Sequence, residues 1–198
     1  MGLKNKRCSS ALPEGYREIY SVNLQKDKKA ALIVNIAALI LMVIFVIIGI
    51  LIVPISYTFD NDGSIVTVWL KTIAVLAGMI VYFILHELVH GITMKHYGAK
   101  KVKYGFTGLY AFAGCEEYFS KKPYIVIALA PIVVWGVVLA TVCCFVTESW
   151  FWVVYFIQIM NLSGAAGDLY VTCKFSKFPK DILIKDTGVE MKVYSKTL

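Results

Sequence analysis

Charge is scarce in this sequence. Asp, Glu, Lys and Arg make up 17% of its 198 residues, against about a quarter in an ordinary soluble domain. There is no internal repeat, low-complexity tract or Pro/Ser-rich linker, so nothing divides the chain into tethered modules. The five cysteines, Cys8, Cys115, Cys143, Cys144 and Cys173, show no C-x-x-C spacing and no disulfide framework. Cys143 and Cys144 lie within an apolar run and read as packing residues. Positive charge is missing from two of the loops, "TFDNDGS" and "TES".

What fills the chain is apolar surface, 59% of residues, with a mean hydropathy of +0.70. Four apolar runs stand out: Ala30 to Ile55, Ile65 to about Tyr97, Tyr124 to Val146, and Trp150 to about Val171. Each supplies the ~20 residues that cross ~30 Å of hydrocarbon at 1.5 Å per residue. We therefore expect an all-α polytopic membrane protein with four transmembrane helices over 30–171. A basic N-terminal segment, 1–29, and a C-terminal tail, 172–198, flank it. The first run is too long, and too far from the start, for a cleavable signal peptide.

The net charge of +7 follows the same division. Of 20 Lys and Arg, seven precede the first run, six lie between the second and third, and six follow the fourth; the last is Lys71. The positive-inside rule then puts both termini in the cytoplasm, in a multi-pass protein of the cell membrane. The basic excess is topological, with lipid headgroups as a secondary partner, and it does not call for nucleic acid.

Between the second and third runs, "GAKKVKYGFTGLYAFAGCEEYFSKKP" has short β-prone stretches at Lys101 to Tyr104 and Leu109 to Phe112, punctuated by glycines. This predicts a small β-hairpin on the cytoplasmic side. The tail has two strand-like stretches around "TG".

The chemistry lies in "YFILHELVHGITMKHYG", Tyr82 to Gly98. His86 and His90 are one helical turn apart and share a face, so both imidazoles can meet one metal ion. Glu87, about 100° away, stands beside that ion and can take a proton from bound water. H-E-x-x-H on a helix is the metalloprotease pattern, and zinc suits imidazole and carboxylate ligands with one position left for water. The competing reading makes these three residues the polar end of an ordinary span. A third ligand is needed, and Asp168 is the only acid in the fourth run. It falls ~27 Å along that run, against ~31 Å and ~37 Å for His86 and His90 along theirs.

Other candidates fit less well. His96 lies about 80° off the face of His86, Glu116 and Glu117 lie on the loop, Glu148 is on the opposite side, and Cys173 is off the face of Asp168. Asn161, two turns before Asp168, is a candidate to hold a substrate backbone, to orient a ligand, or to pack helices together.

These residues resemble a known family. The motif, the basic glycine-containing loop, "LAPIVV" opening the third run, "NLSGAAGDLYV" on the fourth and the closing "KDTGVEMKVY" are similar to the bacterial putative zincin peptidase family, formerly a domain of unknown function. The likeness covers roughly Tyr82 to Tyr194. More distantly the chain is similar to the site-2 protease intramembrane metalloproteases. That resemblance implies zinc on His86, His90 and Asp168, Glu87 as general base, and Asn161 in substrate binding. Site-2 proteases usually carry prolines between the asparagine and aspartate and a glycine after the aspartate, whereas here no proline intervenes and Leu169 follows.

The expected function is a zinc-dependent, membrane-embedded endopeptidase that cuts membrane or membrane-proximal proteins near the cytoplasmic face. The alternative is a non-catalytic metal-binding membrane scaffold or regulatory protein. Metal or haem handling would leave Glu87 unexplained.

Overall fold

The structure, a computed structural model, describes residues 8–58, 64–108 and 110–196. In chain order the elements are β1 (Cys8–Ser9), β2 (Arg17–Val22), α1 (Lys28–Ile52), a 3₁₀ turn (Ile55–Thr58), α2 (Ile65–His96), β3 (Lys103–Phe106), β4 (Ala111–Gly114), β5 (Tyr118–Ser120), α3 (Lys121–Phe145), α4 (Glu148–Gly164), α5 (Ala166–Ser176), β6 (Leu183–Asp186) and β7 (Met191–Ser195). Among the described residues, three helices are long and apolar enough to cross a membrane: α1, α2 and α3. Many of their large side chains point outward. Leu32, Ile36, Leu39 and Leu51 of α1 are all exposed, as expected where lipid and not water surrounds the helix.

The chain divides into two compact units. One comprises Met1–Ile33, Glu87–Pro131 and Asp168–Leu198; the other comprises Val34–His86 and Ile132–Gly167.

The first unit corrects the all-α expectation. It holds a five-stranded antiparallel sheet in the order β1-β5-β6-β7-β2. Its strands come from the N-terminal segment, the loop after α2 and the C-terminal tail. Phe119, Phe175, Ile182, Ile184 and Val193 are fully buried in its core, and each buried side chain of that size contributes about 1.5–3 kcal/mol. The hairpin expected after the second run is present as β3 and β4, paired with Tyr104 opposite Ala113 and Gly105 opposite Phe112. The two stretches around "TG" in the tail are β6 and β7.

In this unit α2 ends where Gly98 adopts φ +112°, a conformation only glycine takes without strain. The Ala99 and Gly98 N–H groups then donate back to the Met94 and Lys95 carbonyls, each at 3.0 Å, which closes the helix as a Schellman motif.

In the second unit Tyr155 donates to the Phe45 carbonyl at 2.8 Å and Trp152 to the Val53 carbonyl at 3.1 Å. Gly49 makes room for those rings, since a Cβ there would lie 2.9 Å from Trp152 Cη2. The fourth apolar run, expected as one helix, is broken at Ala165 into α4 and α5. The 17 residues of α4 fall short of the length at which α1, α2 and α3 qualify.

Candidate metal centre

The last three turns of α2 carry the motif. Glu87 and His90 lie in the first unit, and His86 immediately precedes them on the same unbroken helix. His86 and His90 are buried, each 8% exposed, and Glu87 is half-buried. Asp168 is the third residue of α5. That first turn is where a carboxylate gains from the helix dipole.

His90 Nε2 and Asp168 Oδ1 are 3.5 Å apart. Two ligand atoms each about 2.1 Å from one tetrahedral ion would be about 3.4 Å apart, so this separation fits a shared metal. His86 lies one turn before His90 on α2, so the two imidazoles share a face of that helix. Two imidazoles and a carboxylate are also a catalytic zinc donor set.

The outer nitrogen of each histidine has its own partner. His90 Nδ1 lies 2.9 Å from the Ile127 carbonyl oxygen, an acceptor, so Nδ1 carries the proton and Nε2 presents its lone pair. That carbonyl is available for a reason visible in the sequence. Pro131 sits four residues later inside α3 and has no N–H to return to it. The proline of "LAPIVV" therefore releases the oxygen that orients the His90 imidazole.

His86 Nδ1 is 2.8 Å from Tyr82 Oη, and the Tyr82 hydroxyl donates to Asn161 Oδ1 at 3.1 Å. Asn161 Nδ2 in turn donates to the Ile132 carbonyl at 3.3 Å and to Gln158 Oε1 at 3.4 Å. With its single proton committed to Asn161, Tyr82 accepts from His86 Nδ1–H. His86 thus also presents Nε2. Such outer contacts fix tautomer and ring orientation at metal sites.

Asn161 is wholly buried and reaches His86 through Tyr82. His96 ends α2 exposed, edge-on to Tyr97. Glu116 pairs with Lys103 at 3.1 Å and Lys185 at 2.7 Å, and those two cations hold its carboxyl below the usual range. Glu117 accepts from the Lys100 N–H at 3.1 Å. Glu148 opens α4, and Cys173 is exposed. None of these joins the ligand cluster among the described residues.

Three participants escape a search for ligands alone: Tyr82, Pro131 and Gln158. Tyr82 carried a signal, since it lies one turn before His86. A proline inside an apolar span carried another.

The fold and this donor set define a protein with three helices able to cross a membrane and an H-E-x-x-H motif that could hold a metal ion. Residues 79–183 match the family described as "Putative zincin peptidase", and the chain belongs to that family. It is also 35% identical over 119 residues to an uncharacterised 24.7 kDa protein in the gap 5′ region of Pyrococcus woesei, covering 58% of this chain and 51% of that protein. The matched stretch thus spans about half the length of that relative. No solved structure matches the chain.

Proposed function

We propose that this protein is a zinc-dependent, membrane-embedded endopeptidase that hydrolyses membrane or membrane-proximal proteins at the cytoplasmic face of the cell membrane. The 3.5 Å approach of Asp168 to His90, with His86 one turn earlier on the same helix and both histidines held at Nδ1, carries the reading. Zinc bound there would bring the pKa of its water to about 7 and polarise the substrate carbonyl. Glu87 takes the proton from the attacking water as its oxygen bonds to the carbonyl carbon. It then delivers that proton to the amine nitrogen as the C–N bond breaks. Asn161 and Tyr82 hold His86 in register, and the Ile127 carbonyl does the same for His90.

The sheet supports a topology with both termini in the cytoplasm. β2 precedes α1 and β7 follows α5, yet they pair over five positions. β5, between α2 and α3, joins the same sheet. Paired strands of one sheet belong on one side of a membrane, which supports an even number of crossings between β2 and β7. Four passes follow if α4, about 26 Å long, is the fourth.

The test is zinc per chain and cleavage in the purified protein. Wild type should hold about one zinc, with Asp168→Ala sharply reduced. Glu87→Gln should retain zinc and lose cleavage of an unstructured protein such as casein by at least about 10²-fold. A Glu87→Gln variant with full cleavage, or a wild type without zinc, would overturn the reading. Zinc binding without cleavage in wild type would favour a metal-binding scaffold.

A further inference from the structure

Gly91 follows the second metal-facing histidine, in the interior of α2, where glycine costs a helix about 1 kcal/mol relative to alanine. The space beside it is filled by Tyr104. A Cβ on Gly91 would collide with Tyr104 Oη and lie 2.6 Å from Cζ. Residue 91 is also one turn after Glu87, so the two share a face of α2. The tyrosine hydroxyl therefore stands on the flank of the centre where Glu87 works.

Tyr104 is held there by the hairpin. Its β3 neighbour Gly105 is covered by the Phe112 ring of β4, with Phe112 Cζ 2.6 Å from where a Cβ would stand. The same ring also packs against Gly188, at φ +86°. The Cys115 N–H donates to the Asp186 carbonyl at 2.7 Å, tying the end of β4 to the main sheet. The ring of Tyr104 is thus carried on a braced strand, 47% exposed, and among the described residues its hydroxyl has no hydrogen-bond partner. Partial burial and the Glu87 carboxylate hold the hydroxyl above its ordinary pKa, so it keeps its proton as a donor.

We infer that Tyr104 is a further catalytic residue, whose hydroxyl donates a hydrogen bond to the carbonyl oxygen of the bound peptide as negative charge develops on it. The inference rests on the peptidase reading above. The proton stays on Tyr104 throughout, and the transferred proton remains the business of Glu87. Such a donor matters because it strengthens as the oxygen gains charge. Gly91 is then the residue that admits it, a steric condition of the site.

The test uses the full chain in lipid nanodiscs, with zinc per chain, casein cleavage and affinity for an N-acyl Phe-Ala phosphinate, whose tetrahedral phosphorus oxygens stand in for the hydrated carbonyl. Tyr104→Phe should keep zinc at the wild-type level. It should bind the phosphinate 10- to 100-fold more weakly and lose kcat by a similar factor, with KM within about twofold. Gly91→Ala, which pushes the ring aside, should do the same, and the double variant should be no worse than Tyr104→Phe alone. Wild-type affinity and cleavage in Tyr104→Phe would overturn the inference and leave the peptidase reading standing. So would loss of zinc in that variant, which would make Tyr104 structural. Zinc-loaded wild type that ignores the phosphinate would also overturn it. Wild type without zinc would remove the peptidase reading and this inference together.

Discussion

Tyr82 and Asn161, 79 residues apart in sequence, share a 3.1 Å hydrogen bond, and the same hydroxyl meets His86 Nδ1 at 2.8 Å. The hydroxyl is the joint of a relay running from α4 to His86. Tyr82→Phe should leave His86 Nδ1 without its acceptor and weaken zinc binding about 10- to 100-fold. Competition with a fluorescent zinc chelator would measure it. Unchanged affinity would show that the ring is oriented by packing alone.

Pro131→Ala should separate stability from metal binding. Replacing a proline inside a helix relieves up to about 3 kcal/mol, so thermal stability should hold or rise. The new N–H can take the Ile127 carbonyl from His90, which should weaken zinc affinity about 10-fold. The two changes have opposite signs, and a plain loss of folding would move both downward.

Lys71 is buried within α2 at 3% exposure, donating to the Thr58 carbonyl at 2.9 Å and Ser149 Oγ at 2.7 Å. Lys71→Met removes a charged donor from acceptors that remain. It should destabilise the protein by about 1.5–3 kcal/mol and leave zinc content unchanged. Thermal unfolding with and without chelator distinguishes the two effects.

Burial pushes the Cys115 thiol up to about 12, opposed by a backbone hydrogen bond at Glu117 and reinforced by the Glu117 carboxylate. Iodoacetamide at pH 8 should therefore spare Cys115 while labelling the exposed Cys173. The folded value lies above the thiol's ordinary 9.0, so this group's contribution to stability is complete below pH 9. It is lost as pH rises toward 12. Rapid labelling of Cys115 at pH 8 would show that the β4–β5 connection opens.

Several of these features were legible in the sequence. Spacing put His86 and His90 on one face, and their depth matched Asp168, because a helix advances by a fixed rise and turns by a fixed angle. The apolar runs became helices for the same reason, and glycine spacing marked the β3–β4 hairpin. The alternation around "TG" marked β6 and β7.

The five-stranded sheet was not legible as a sheet. Its strands are two to six residues long, and what stabilises each is a partner up to 178 residues away, as with Arg17 and Ser195. Hydropathy also passed over the break at Ala165, since small residues keep a run apolar whether or not the helix continues.

By itself, then, the sequence determined where the three long apolar helices lie and which residues form the H-E-x-x-H motif, because those depend on local periodicity and side-chain type. Only the tertiary structure decided what surrounds that chemistry: the acceptor at each histidine, the carbonyl released by Pro131, and the tyrosine seated on Gly91. Each of these is a contact between atoms far apart in the chain, and no periodicity encodes the partner.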